Sequence, residues 1–251
     1  MLHTLVRRLN FSYPNAMPKI PLEPVRAITF DMYGTLLDLD ASFAPGFAEF
    51  LEANGYPGRA SEVVQAWEAA YLFESNVDSF LGRPRTPFEV VRRLTLSQLF
   101  FKLKIEHTKD DIEQLVTTQA TPTLFPDVNE NLTRLKGKYK LSVLSNGDLA
   151  SLEQAVSRLG IPVDRTISAE QAGYYKPHSA VYQHAIKELE LPGDQVLHVA
   201  AHAWDIRGAR AAGMAGAYIN RYGIPYVDAD GSQADLEAPG LAELAGHLSA
   251  I

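Results

Sequence analysis

Val25-Arg26-Ala27-Ile28-Thr29-Phe30-Asp31-Met32-Tyr33-Gly34-Thr35-Leu36 is the stretch on which the reading of this chain turns. Its first half is a short apolar run of strand character. Its second half opens on an acid and bends through a glycine. Open α/β sheets bind their ligands in the crevice beyond the carboxyl ends of their strands. A carboxylate delivered there can attack carbon or phosphorus and form a covalent intermediate. Asp31 is therefore the candidate nucleophile.

Outward from this turn, the rhythm changes over residues 41–117. Phe43, Phe47 and Phe50 recur at spacings of four and three, and Val63, Val64, Trp67, Tyr71 and Leu72 line up in the same way, which predicts amphipathic helices. The helical signal continues through Phe88 to Leu103 and Ile112 to Val116. Pro122 and Phe125-Pro126-Asp127 then punctuate the chain. Beyond them helices are expected over 128–135, 149–159, 179–189 and 205–212, with strands over 140–144, 165–168, 195–200 and 216–220 and a last helix at the C-terminus. Short apolar runs alternating with helices in this way predict βαβ units with right-handed crossovers on a parallel sheet. The expected fold is α/β, a doubly wound Rossmann-like core interrupted after its first strand by a helical insertion. Gly160, Gly213 and Gly223 stand where helices or strands should end.

The totals narrow the function. An apolar share of 46% and a charged share of 21% belong to a globular protein able to bury a substantial core. A net charge of −7 argues against nucleic acid or an anionic membrane as the partner, since both demand a basic footprint. The absence of cysteine excludes disulfides, thiolate catalysis and Cys-ligated zinc. No apolar run is long enough to span a bilayer. A small-molecule substrate, a cytoplasmic setting and, as an allowed assembly, a homodimer are the expectations. Residues 1–22 contain no acid and carry Arg7, Arg8 and Lys19, but lack the enrichment of an organellar leader, so residues 1–24 read as an irregular arm. The sequons at Asn10 and Asn131 read as chance matches, since no secretion signal accompanies them.

Each later strand ends on chemistry. Ser145-Asn146-Gly147-Asp148 offers a hydroxyl, an amide and a glycine that frees backbone N–H groups for an anion. Tyr174-Tyr175-Lys176-Pro177 offers a cation, and His198-Val199-Ala200-Ala201-His202-Ala203-Trp204-Asp205 ends on a second acid. Taken singly, these also read as a common turn, a solvated loop lysine and a helix N-cap. Together, in the order Asp, Ser-Asn, Lys, Asp, they resemble the haloacid dehalogenase superfamily, over nearly the whole chain from Val25 onwards, with the insertion where its cap domain lies.

That resemblance implies a core of residues 25–40 and 118–251 and a helical cap of 41–117. In detail the chain resembles the type II 2-haloacid dehalogenases. Phosphatases of the superfamily carry a second aspartate two residues after the nucleophile; here Tyr33 stands there. A site with one carboxylate fewer holds Mg²⁺ poorly, so no metal or other cofactor is expected. The likeness implies that Asp31 displaces halide from the α-carbon of a small 2-substituted carboxylate, and that water then cleaves the resulting ester. Thr35 and Ser145 would anchor Asp31 and neighbouring charge, Lys176 would keep Asp31 ionised, and Asp205 would orient or activate the water. Asn146 and Trp204 would line the halide and substrate pocket, with Tyr33 beside the nucleophile.

Two departures bear on substrate. The dehalogenase pattern has an arginine directly after a cap tryptophan, where this chain reads Trp67-Glu68; Arg83 and Arg85 read as solvated arginines or, alternatively, as the source of the missing cation. His202 stands where that branch commonly has asparagine, with Ala200 and Ala201 in place of nearby hydroxyl residues. An imidazole there can hold the hydrolytic water or be a satisfied buried histidine. The rival readings are a Mg²⁺-dependent phosphatase acting on a small phosphomonoester and a catalytically silent binding protein on the same scaffold.

Overall fold

The structure is a computed structural model that describes residues 16–117 and 122–251. The expected core boundary at 118 and the sequon at Asn10 lie outside the described residues. So does most of the expected arm.

Six parallel strands make the central sheet: β1 (Ala27–Phe30), β4 (Lys140–Ser145), β5 (Arg165–Ser168), β6 (Val196–Ala200), β7 (Ala215–Ile219) and β8 (Leu236–Ala238). They lie in the order β5-β4-β1-β6-β7-β8. The chain leaves β1 for β4 and β5 on one side, then returns to β6, β7 and β8 on the other. Strand order therefore reverses at β1, and the crevice at such a reversal is where a doubly wound sheet binds ligand. Asp31 sits at that point. All four residues of β1 are buried, as a central strand covered on both faces requires. Its register pairs Thr29 with Ser142 on one side and with His198 on the other.

Residues 39–117 form four helices, α1 (Leu39–Ala53), α2 (Ala60–Leu81), α3 (Phe88–Leu103) and α4 (Lys109–Thr117). They are the helical cap inserted into the α/β core. Phe43, Phe47, Trp67, Tyr71, Phe88 and Phe100 form its buried centre, with Trp67 stacked on Phe47 at 5.6 Å and set edge-on to Phe43 at 5.4 Å. The Trp67 indole N–H donates to the carbonyl of Arg92 at 2.9 Å. Truncating such a buried aromatic costs about 3–5 kcal/mol, well above what intrinsic propensity gives a helix, so aromatic packing holds the cap together.

The remaining helices are α5 (Val128–Lys136), α6 (Leu149–Leu159), α7 (Ala169–Ala172), α8 (Ser179–Leu189), α9 (Ala203–Ala211) and α10 (Leu241–Ala250). Expected elements fall within one or two residues of these bounds. Asp205 is the exception that matters: α9 starts at Ala203, so Asp205 lies in its first turn and is not the N-cap, a place taken by His202. The two-stranded pairing of β2 (Leu37–Asp38) with β3 (Thr123–Leu124), the edge strand β8 and the single turn α7 were not expected, being too short to show a period. Residues 16–24 lie along the core: Ile20 N–H donates to Asp235 at 2.7 Å, and Arg210 donates to the carbonyl of Pro18 at 2.7 Å. Asn131 is buried and donates to the carbonyl of Asp127 at 2.7 Å, which seals the second sequon inside the fold.

Candidate active site

Asp31 continues the β1 ladder, its N–H donating to Val199 at 2.9 Å, and ends it with its side chain facing a chamber under the cap. Thr35, one turn on, donates its hydroxyl to Asp31 Oδ2 at 2.8 Å and accepts the Ala201 N–H at 2.9 Å. This tie between the β1 and β6 loops fixes the carboxylate. Gly34 makes the turn possible. Its φ of 77° is left-handed, and a Cβ there would lie 2.8 Å from both His202 Cε1 and the Tyr222 hydroxyl.

Lys176 arrives from the loop after α7. Its ammonium donates to Asp31 Oδ1 at 2.8 Å, to Asp205 Oδ2 at 2.6 Å and to the carbonyl of Leu144 at 3.0 Å, using all three of its protons. Its backbone N–H donates to Asn146 Oδ1 at 2.8 Å, which locks the lysine loop to the β4 loop. Burial opposes the charge on Lys176, but the two aspartates overcome it and raise its pKa. Burial likewise opposes ionisation of Asp31; Lys176 and His202 outweigh it and hold the carboxyl below its ordinary value. At Asp205 burial is reversed by His198 and Lys176, leaving this acid well below the usual carboxylate range. Charge-assisted bonds out of water account for these directions.

Asp205 is fully buried. Its Oδ1 accepts the Tyr182 hydroxyl at 2.6 Å, and its Oδ2 holds Lys176 and lies 3.1 Å from His198 Nε2. His198 Nδ1 in turn meets the Thr29 hydroxyl at 2.9 Å. Expected to orient or activate water, Asp205 does not line the chamber in this structure and meets Asp31 through Lys176. Ser145 Oγ accepts the Gly147 N–H at 3.3 Å and shapes the turn after β4.

Asp31, Tyr33, Glu68, Tyr71, Leu72, Phe88, Asn146, His202 and Trp204 line the chamber, whose free volume of about 20 Å³ is room for a water molecule. Tyr33 leans across Gly147, where a Cβ would come within 3.1 Å of its hydroxyl. Glu68 faces the chamber from the cap, as its place after Trp67 implies. His202 stands between two acids, Nδ1 lying 3.6 Å from Asp31 Oδ2 and Nε2 3.4 Å from Glu68 Oε1. Burial works against its charge, yet Asp31 and Glu68 push its pKa up to about 10.

Arg83 and Arg85, the alternative sources of the missing cation, do not line the chamber. Arg83 pairs with Asp78, and Arg85 lies over the Tyr175 ring while bonding Asp148 and the carbonyl of Asn146, each at 2.8 Å. Asp148 also accepts the N–H groups of Phe88 at 3.0 Å and Glu89 at 3.2 Å, so a core residue caps the cap helix α3.

Sequence reasoning missed Tyr182, His198 and Asp148. His198 gave one weak signal, an imidazole inside an otherwise apolar strand. Tyr182 gave none beyond its place on the apolar face of α8.

The family model for haloacid dehalogenase-like hydrolases matches residues 25–213. The chain belongs to the haloacid dehalogenase-like hydrolases. Among curated relatives of this hydrolase, (S)-2-haloacid dehalogenase 1 of Pseudomonas sp. (strain CBS-3) is 32% identical over 211 residues, covering 81% of this chain and 88% of that protein. (S)-2-haloacid dehalogenase H-109 of Pseudomonas putida is 29% identical over 230 residues, 90% of this chain and 99% of its own. A solved defluorinating L-2-haloacid dehalogenase superposes with a TM-score of 0.77 at 27% identity, covering 90% of this haloacid dehalogenase-like hydrolase and 95% of that chain.

Proposed function

We propose that the protein is a 2-haloacid dehalogenase-type hydrolase that works through an aspartyl ester, without metal, on a small 2-substituted carboxylic acid. The observation that carries this reading is the Lys176 bridge: one buried ammonium 2.8 Å from Asp31 and 2.6 Å from Asp205. Asp31 is thereby kept anionic and aimed, the state a carboxylate nucleophile needs. An ionised carboxylate has about four lone-pair sites, so Asp31 can hold Lys176 and Thr35 and still present a free lone pair to an α-carbon.

In the first step Asp31 forms a C–O bond to the α-carbon as the carbon–halogen bond breaks and halide leaves. In the second, water adds to the Asp31 carboxyl carbon and the 2-hydroxy acid departs. The helical cap, assigned here to residues 41–117, closes over this chemistry through Asp148 and the α3 N-terminus. Tyr33, Asn146, Trp204 and His202 define the space for substrate and leaving group. The names of the relatives support the haloacid class.

The donor set does not suit Mg²⁺. The two aspartates that a phosphatase of this fold would use are joined by an ammonium ion, and Tyr33 takes the place of a further acid. A hard dication wants several oxygen ligands, and the ammonium already takes one oxygen of each aspartate. Enzyme treated with EDTA, assayed for halide release from 2-chloropropionate and for phosphate release from p-nitrophenyl phosphate, tests the proposal. Halide release that persists is expected. Phosphate release that EDTA abolishes, with no halide, would replace this reading by phosphoryl transfer.

A further inference from the structure

We propose that His202 is the base that hydrolyses the Asp31 ester, with Glu68 as the residue that positions it. This rests on the aspartyl-ester reading above.

Asp31 is buried and lines the chamber, so a base acting on its carboxyl carbon is sought among the chamber's residues. Asp205 is fully buried and does not line the chamber. Lys176 spends its three protons on three acceptors and stays charged. The titratable groups that line the chamber are Asp31 itself, Tyr33, Glu68, Tyr71 and His202. Burial raises the Tyr71 phenol well above its ordinary value, so it is not an acceptor near neutral pH. His202 Nδ1 is the nitrogen beside the ester carbon: it is buried, has no hydrogen-bond partner and lies 3.6 Å from Asp31 Oδ2. That is too long for a direct bond, and a water set beside the pair can engage both.

The ring is held for this task. His202 caps α9 directly after β6, with Trp204 at 5.5 Å and Tyr222 at 6.2 Å between ring centroids. Gly34 supplies the space under Cε1. Glu68 lies 3.4 Å from Nε2, on the far side from Asp31. Nucleophile, imidazole and orienting acid therefore stand in sequence, an arrangement in which the acid fixes the imidazole's tautomer and supports its charge.

The groups that face His202 are Asp31 from the end of β1, Glu68 from α2 and Tyr222 from the loop after β7, with Lys176 behind Asp31. In the free enzyme both carboxylates favour an imidazolium. Esterification neutralises Asp31 and removes one of them, so the imidazolium releases its proton to solvent after halide has left. Neutral Nδ1 then takes a proton from water as the water oxygen bonds to the Asp31 carboxyl carbon. The tetrahedral adduct collapses, the bond to the substrate oxygen breaks, and the alkoxide takes that proton from Nδ1. The new Asp31 carboxylic acid then gives its proton to Nδ1. Imidazolium and carboxylate are restored, and the sum is one water consumed with one halide, one proton and one hydroxy acid released.

Rapid-quench kinetics with chloroacetate, read as halide and as enzyme mass, test the assignment. In His202→Gln a halide burst of about one per active site is expected, followed by a steady rate lower by on the order of 10²–10⁴-fold while the ester accumulates. Glu68→Gln should slow ester hydrolysis less and shift its pH profile, and Glu68→Asp should restore part of the rate. Ester breakdown at the wild-type rate in His202→Gln would overturn the proposal. Equal loss in Glu68→Gln with breakdown retained in His202→Gln would make Glu68 the base instead. Should His202→Gln fail to fold, imidazole NMR on the wild type and Asp31→Asn decides: His202 should be protonated at neutral pH in the first and titrate at lower pH in the second, and an unchanged titration would overturn the proposal. Wild-type enzyme that releases no halide would remove the ester reading and this inference with it.

Discussion

Lys176 and Asp205 form a fully buried ion pair, Nζ to Oδ2 at 2.6 Å, and the same ammonium donates to Asp31, which couples the second acid to the first. Asp205 is held in turn by Tyr182 and flanked by His198, and His198 meets Thr29 on β1. The nucleophile thus rests on a chain of polar contacts that crosses the sheet beneath it.

Removing the lysine strands two acids. Lys176→Ala leaves Asp205 charged in the interior without its ammonium partner, and breaking a buried pair by losing one partner costs about 3–5 kcal/mol. Urea unfolding should show that loss, and turnover should fall with it. Stability within about 1 kcal/mol of wild type would mean that the pair is not the support described.

His202 gives the fold a pH dependence of known sign. Its pKa rises on folding from 6.5 to about 10, so its stabilising contribution is complete below pH 6.5 and is lost as pH climbs to about 10. Asp31 and Asp205 run the other way: both are depressed on folding, so their contribution is present above about 3.8 and is lost in acid. Urea midpoints between pH 6.5 and 10 should decline in the wild type and decline less in His202→Asn. Parallel declines in the two proteins would contradict the paired environment of this histidine.

Asp148 joins core to cap. Asp148→Ala removes the acceptor for Phe88 and Glu89 N–H and the partner of Arg85, a helix-cap loss of about 1–2 kcal/mol. Hydrogen exchange should quicken at the start of α3, and KM should rise more than kcat falls. Unchanged exchange at Phe88 and Glu89 would show that the contact does not hold the cap down.

Gly34→Ala forces a side chain onto a φ of 77° and into the space of His202 Cε1 and the Tyr222 hydroxyl. The left-handed backbone alone costs about 1–2 kcal/mol. Turnover should fall further than stability does, because the imidazole must move. A variant that loses stability yet keeps full kcat would mean that the position of His202 does not matter.

The core was legible because its signals are local. A continuous apolar run ending in Asp31 and a glycine turn is a pattern of neighbours, and the alternation after Val128 repeats it. The cap helices were legible through Phe43, Phe47, Trp67 and Tyr71, whose spacing records a buried face. What escaped depends on contacts between distant residues. Tyr182 looks like any aromatic on an apolar helix face until the fold sets its hydroxyl on Asp205. Asp148 looks like a turn residue until α3 arrives above it. Arg85 carries the charge sought for the chamber but spends it on Asp148 and Tyr175, which no spacing along the chain reveals. Nor does Asp205 declare that both of its oxygens will be occupied; only the convergence of Lys176, Tyr182 and His198 does so.

The central claim is that water attacks the Asp31 carboxyl carbon of a covalent ester rather than the substrate carbon. A single turnover in H₂¹⁸O, with enzyme in excess over 2-chloropropionate, separates the two by mass spectrometry of the Asp31 peptide and of the hydroxy acid. The label is predicted in the Asp31 carboxylate, with unlabelled hydroxyl in the product. Label in the product hydroxyl and none in Asp31 would contradict the account.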